Sequence, residues 1–325
     1  MKTYDFVISW PDIEKTLFLK WLKEECISRK LVYVQCHDGN ISEIIEKIEE
    51  NKLKINFLLD MNSTFNNPGD LYTRLSYAVK DSGGMVVDDP DYAKVATDKS
   101  ISHYNFINHD IPVPFTIIIR SWQLDRIKVP DEIKKKLGIP FIIKPAQGYS
   151  GKGVIMDANW KFKNITKARN FDRTDNYLLQ EKVNPINFDE RPAWFRVFYL
   201  FGEIIPCWWN PFNSEYTHAN KKDAEKFNLS ILENITLKIV NATSMEWFTT
   251  EIAFYKKGSK VNPVVVDYVN DQCHVDTKSE FPHAPPDHIV KHIAIKMVEI
   301  ANLVKKNKKI VKEKKMWLLD NNNKF

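Results

Sequence analysis

Lys144 closes a short apolar run, FIIKP (141–145), and is followed at once by Gly148, Gly151 and Gly153. An apolar strand that delivers a lysine into a glycine-rich loop is suited to a polyphosphate. Glycines permit φ > 0 and let backbone N–H groups approach an anion closely. Ser150 and Lys152 add a hydroxyl donor and a positive charge to the same loop, QGYSGKGV (147–154). The loop is not a Walker A motif, because Lys152 is followed by Gly153 rather than by Ser or Thr. Three further segments carry polar groups in a fixed order around it. DPDYAKVATDKSISHYNFINHDIPVPFT (89–116) places Lys99 in the first turn of a predicted helix. YLLQEKV (177–183) turns polar at Gln180 and Glu181, and NPVVVDYVND (262–271) ends an apolar run in Asp267 and Asn270. The cluster DQCHVD (271–276) holds Cys273, His274 and Asp276. Adjacent Cys and His are poor zinc-ligand geometry, and no second cluster of this kind follows, so a substrate-side loop is the expectation there.

These residues need elements to hold them. The first hundred residues alternate between two periods. YDFVIS (4–9), LVYVQC (31–36), INFLLDM (55–61) and MVVDD (85–89) read as strands. Residues 12–28, 41–50 and a stretch after Pro68 read as helices, the last ended by Gly83-Gly84. Such alternation predicts an open parallel α/β sheet, without the Gly-x-Gly-x-x-Gly fingerprint of dinucleotide binding. A helix over 97–109, with Thr97 or Asp98 as N-cap, stops before the prolines of IPVPFT (111–116). The texture then becomes β-rich, in FIIKP, YLLQEKV, WFRVFYLFGEI (194–204), FTTEIAF (248–254) and NPVVVDYVN (262–270), which predicts an antiparallel α+β body. Helical stretches are expected over 221–240 and 287–315. In PCWWNP (206–211), adjacent tryptophans on a strand face opposite sides, one toward the core and one open to a pocket.

Composition limits the function classes. The chain has 325 residues, 43% hydrophobic and 27% charged, with 10 glycines and 4 cysteines. This is the balance of an ordinary globular protein of two or three domains. No window reaches the ~20 apolar residues of a membrane span. Met1–Trp10 has no basic n-region followed by a long apolar stretch, so no signal peptide is expected. Scattered cysteines suit a reducing, cytoplasmic setting. Net charge is +5, but KKNKKIVKEKK (305–315) carries seven Lys and one Glu, so the remaining residues are nearly neutral. The lysine run reads as the solvated end of a C-terminal helix, and nucleic acid is not an expected partner.

The order of the segments resembles the ATP-grasp superfamily of ATP-dependent ligases and related kinases, over roughly residues 85–275. DDPDYAKVATDKSISHYNFINHDIPVPFT and PFIIKPAQGYSGKGV carry the likeness. The resemblance implies an N-terminal open parallel α/β domain (1–112), a small lid (113–184) and a C-terminal antiparallel-sheet domain (185–325). It implies that Lys99 and Lys144 hold the α- and β-phosphates of ATP, and that Gly148, Ser150, Gly151, Lys152 and Gly153 form the lid loop over the γ-phosphate. Gln180, Glu181 and Val183 would meet the adenine, and Asp189 or Glu190 the ribose. Arg196 would neutralise charge developing in phosphoryl transfer, together with Lys144 and Lys152. Glu251, Asp267 and Asn270 would hold magnesium, two ions, with manganese an alternative.

Two positions depart from the family pattern. Trp194 stands two residues before Arg196, where an acidic residue is usual. The acidic-x-Asn pair reads Asp267-Tyr268-Val269-Asn270, so residues i and i+3 must converge, or Asp271 takes the place of Asn270. His218 and Asn220 lie where relatives often place substrate-contacting polar groups. The implied reaction joins a carboxylate to an amine through an acylphosphate, with small-molecule or peptide substrates and, as is common among relatives, a homodimer. A kinase acting on a small-molecule hydroxyl, or a non-catalytic nucleotide-binding module, are the alternatives.

Overall fold

The computed structural model describes residues 1–11, 16–123, 128–148 and 151–320. The chain forms two compact units. The first comprises Met1–Lys94, Phe195–Thr249 and Asn270–Phe325, and the second Val95–Trp194 and Thr250–Val269. The units are discontinuous in sequence, whereas the three expected segments are consecutive. The reason is the hairpin Trp247–Lys257/Lys260–Asn270, whose strands both run from one unit into the other.

In the first unit, Tyr33–Cys36, Phe6–Ser9, Phe57–Leu59 and Met85–Val87 form a four-stranded parallel sheet in that order. Phe6–Ser9 and Phe57–Leu59 are buried throughout, as central parallel strands covered on both faces must be. The expected strands at 4–9 and 55–61 are each broken in two. Lys2–Tyr4 and Leu53–Ile55 pair with each other instead, in a small parallel ribbon. Helix Ile41–Glu49 buries Ile41, Ile44, Ile45 and Ile48 as one stripe. Helix Leu71–Asp81 starts where the Asp70 carboxylate accepts from the N–H of Thr73 (2.8 Å). Helix Leu17–Ser28 is capped by Thr16 in the same way, and the earlier part of the expected helix, 12–15, lies outside the described residues.

Strands Trp194–Leu200, Glu203–Asn210 and Glu215–His218 are antiparallel. Phe198, Leu200, Ile205, Trp247 and helix Asp287–Lys305 join Phe6, Phe18 and Phe57 in one core. Fully burying each such side chain is worth about 1.5–3 kcal/mol.

The C-terminal helix is shorter than expected, ending at Lys305 rather than 315. Asn307 adopts φ +50°, its N–H donates to the carbonyl of Val304, and that of Lys308 donates to Leu303. This is a Schellman close, and it stops a helix that would otherwise stack Lys305, Lys308, Lys309 and Lys312 along one side. The chain then returns as a strand. Lys315–Met316 pairs in parallel with Glu203–Ile204. It crosses Gly202 (φ +98°) so closely that a Cβ there would lie 2.7 Å from the carbonyl oxygen of Glu313.

The second unit has an antiparallel sheet in the order Thr116–Ile119, Tyr177–Glu181, Phe141–Pro145, Ile155–Ala158. Phe141, Ile143, Tyr177 and Leu179 form its core with Leu137 and Ala168 of helices Asp131–Leu137 and Phe162–Arg169. The helix expected over 97–109 runs Lys99–Asn108, and the N-cap is Asp98, whose Oδ1 accepts from Ser100 N (2.8 Å) and Ile101 N (3.1 Å). No helix among the described residues is long and apolar enough to cross a membrane.

Candidate active site

The second unit brings four of the expected charged residues into one electrostatic neighbourhood. Lys144 extends from strand Phe141–Pro145, and its ammonium donates to the carbonyl of Val266 (2.8 Å), one residue before Asp267. Burial pushes its pKa below the ordinary lysine value; Asp267 opposes that shift, Lys99 adds to it and Glu251 opposes it. Lys99 and two of the expected metal ligands therefore all act on the charge of Lys144.

Lys99 is held by the Asp98 cap that starts its helix. Its backbone N–H donates to Ala146 O (2.9 Å), and its ammonium to Gly148 O (2.9 Å). The helix start is thereby tied at two points to the loop after Lys144. That loop needs its glycines. A Cβ at Gly148 would meet Pro145 at 2.3 Å, and Gly153 (φ +75°) would drive one into Phe171 at 2.7 Å. Gly151 also has positive φ (+69°), and Lys152 is exposed. Ser150 lies outside the described residues.

Gln180 is fully buried. Its Nε2 donates to the Tyr268 hydroxyl (3.2 Å) and, at 3.4 Å, to Thr116 Oγ1, while its Oε1 is buried without a partner. His103 Nδ1 lies 2.6 Å from the same Tyr268 hydroxyl. Burial lowers the His103 pKa to about 4 and raises that of Tyr268, so both are neutral at pH 7. This network escaped the sequence reading. The available signal was strand alternation, which turns Tyr268 to the face opposite Asp267.

Glu181 Oε2 accepts from Phe115 N (3.3 Å). Val183 packs with Ala253, Val264 and Val266. Asp189 and Glu190 form the exposed turn between Asn187–Phe188 and Arg191–Pro192, with Asp189 at φ +51°. Glu251 accepts from the indole N–H of Trp194 (Nε1–Oε2 3.0 Å). Trp194 thus fills the position of the expected acid with a donor to one of the expected metal ligands, which the sequence alone did not reveal.

Arg196 and Asn270 belong to the first unit. The Arg196 guanidinium lies over the Trp209 ring (4.6 Å to its centroid), and its Nη1 donates to the Tyr216 hydroxyl (2.7 Å). The two adjacent tryptophans face opposite sides. Trp208 is buried against Phe195 and donates to Asp223, and Trp209 is partly open beside Arg196. Tyr216 carries the His274 ring edge-on, and His274 Nε2 lies 3.1 Å from Asp276 Oδ2. Asn270 ends its strand, and its carbonyl accepts from the Cys273 thiol.

His218 and Asn220 have structural employment. His218 is buried, with Nδ1 3.0 Å from His288 Nε2 and Nε2 donating to the Trp317 carbonyl (2.9 Å). Asn220 is the N-cap of helix Lys221–Lys226 in a reciprocal capping box with Asp223.

No set of three or more His, Cys, Asp or Glu among the described residues is arranged to hold a metal on its own. Glu251 and Asp267, two carboxylates acting on one ammonium, fit a hard cation that takes its remaining oxygen ligands from phosphates and water.

Comparison with known proteins gives the fold its name. No family model matches the chain. The alpha-aminoadipate–LysW ligase LysX of Saccharolobus solfataricus is 28% identical over 135 residues, 40% of this chain and 45% of that protein. The matched stretch therefore spans less than half of that relative. Among solved structures, a RimK domain ATP-grasp protein from Sphaerobacter thermophilus superposes with a TM-score of 0.59 at 15% identity, covering 91% of this chain and 99% of that one. D-alanine–D-alanine ligase from Bacillus anthracis, complexed with ATP, gives 0.59 at 14% identity, covering 94% and 100%. The chain has the ATP-grasp fold.

Proposed function

We propose that this protein is an ATP- and magnesium-dependent ligase that joins a carboxylate to an amine through an acylphosphate, releasing ADP and phosphate. The observation that carries the reading is the grouping of Lys144 with Lys99, Glu251 and Asp267, one further cation and two carboxylates that all act on the Lys144 ammonium. A triphosphate with a divalent cation needs that pairing of charges, and two opposed lysines with no anion between them repel.

Lys99 and Lys144 bind the α- and β-phosphates. The loop from Gly148 to Gly153 brings backbone N–H groups, with the Ser150 hydroxyl and the Lys152 charge, over the γ-phosphate. Gln180 Oε1, with no partner of its own, accepts from the adenine amino group, while Glu181 and Val183 flank the ring and Glu190 or Asp189 takes the ribose hydroxyls. Glu251, Asp267 and Asn270 would hold magnesium, which would supply charge neutralisation to the phosphates. Arg196, steadied by Trp209 and Tyr216, offsets charge that develops on the transferred group. The protein contributes positioning and charge neutralisation rather than a covalent nucleophile. The relatives support the same reaction class, since LysX, the RimK domain protein and D-alanine–D-alanine ligase share this fold or part of this sequence.

The test is a screen of carboxylates and amines, small-molecule and peptide, for ADP release. The ligase reading requires release that depends on both a carboxylate and an amine. Release with a single hydroxyl acceptor assigns the protein as a kinase instead.

A further inference from the structure

We propose that Trp194 is a positioning residue for the divalent cation: its indole N–H fixes the Glu251 carboxylate in the orientation that receives the metal. The inference rests on the magnesium site proposed above and assigns a role to a residue outside it. The bond is direct, Nε1 to Oε2 at 3.0 Å. The indole itself is held firmly. It packs against the cluster of Val183, Ala253, Val264 and Val266, the last adjoining Asp267. The backbone just before it is tied on both sides, with Ala193 N donating to Ile186 O (2.8 Å) and Phe254 N donating to Ala193 O (2.8 Å). A rigid donor on a partly exposed carboxylate restricts its rotamers, which is how hydrogen-bond partners behind metal ligands act.

Burial alone does not require the bond. The indole N–H groups of Trp160 and Trp247 are buried with no hydrogen-bond partner, so this fold tolerates an unsatisfied indole. That of Trp194 is directed at a carboxylate that acts on Lys144. Because the donor is neutral, it orients Glu251 without adding a negative charge beside the cation, whereas an acidic residue at this position would add one.

The experiment titrates Mn²⁺ into the protein with ADP and follows free Mn²⁺ by electron paramagnetic resonance. ADP binding without metal is measured in parallel. Trp194→Phe keeps an aromatic ring and loses the donor; Trp194→Gln loses the ring and keeps an N–H donor. Trp194→Phe is expected to weaken Mn²⁺ about tenfold, with metal-free ADP binding unchanged. Trp194→Gln is expected to lose less Mn²⁺ affinity than Trp194→Phe, whatever it costs in thermal stability. The reverse ranking, or wild-type Mn²⁺ affinity in Trp194→Phe, makes Trp194 a packing residue and overturns the proposal. A wild-type protein that binds ADP but no Mn²⁺ overturns the metal site itself, and the inference with it.

Discussion

Two clusters of polar groups, each partly buried, behave in opposite ways. In the second unit, Lys99, Glu251 and Asp267 act on Lys144, and on the strand paired with that of Lys144 the Gln180 Oε1 acceptor has no partner. In the first unit, His218, His288, His292 and Trp317 stack closely, and the hydrogen bonds close on themselves. His218 spends both ring nitrogens on His288 and the Trp317 carbonyl, and His292 Nε2 lies 2.6 Å from Glu203, which also accepts from Lys296. Trp317 lies flat on His292, 4.1 Å between centroids. Burial pushes Glu203 up, but His292 and Lys296 outweigh it and hold the pKa at about 2. Histidine clustering looks catalytic in a sequence. Here it pins the returning C-terminal strand. Unmet hydrogen-bonding capacity distinguishes the two, because a buried acceptor left alone costs about 1–3 kcal/mol.

The comparison can be broken experimentally, most severely at Lys144. Lys144→Met should lower ATP turnover by at least about a hundredfold, as loss of a charge-stabilising donor does, with the circular dichroism spectrum unchanged. Wild-type ATP affinity in this variant would remove Lys144 from the site. Asp267→Asn should reduce Mg²⁺-dependent turnover by about a hundredfold while metal-free nucleotide affinity stays near wild type. Equal losses in both would point to misfolding. Gln180→Leu should weaken ATP about tenfold by removing the adenine acceptor, and should narrow the preference for ATP over GTP. A calorimetric titration that finds the ATP-to-GTP ratio unchanged would place the adenine elsewhere.

The smallest effect belongs to the other cluster. Burial, then repulsion from His288 and His292, lowers the His218 pKa to about 4, against the pull of the Trp317 carbonyl. A histidine with a depressed pKa is neutral in the docked state and takes up a proton when released. Docking is therefore fully stable above pH ~6.5 and weakens as pH falls from there toward 4. From pH 7 to 6 the equilibrium should move about threefold toward release. Hydrogen exchange at the Trp317 and Leu319 amides, which donate to Ile204 and Ala219, reads this directly. Protection that does not change over this range, after correction for intrinsic exchange, would mean that His218 does not control docking.

Much of this was legible in the sequence. The parallel strands followed from short, mostly apolar runs, and Phe141–Pro145 from FIIKP, because β-branched and aromatic residues between turn residues favour strands. The C-terminal helix ends earlier than its periodicity, because periodicity does not sense the repulsion that builds along a lysine run, or the asparagine that closes the helix. In the sequence Trp194 is only a missing acid, since one-dimensional spacing cannot show that the indole meets Glu251 from 57 residues away.

Residue order alone determined the two lysines, the glycine loop and the strand carboxylates, because each is a local pairing of backbone conformation with charge. Only tertiary structure decided which polar groups remain in want of a partner. Gln180 and His218 are both buried polar residues in strands. One keeps an open acceptor because the Tyr268 network engages only its amide nitrogen. The other is closed because a strand from the far end of the chain returns to cover it. Hydrogen bonds between residues far apart in the chain exist only once the backbone has brought them together, so this distinction has no local signature to read.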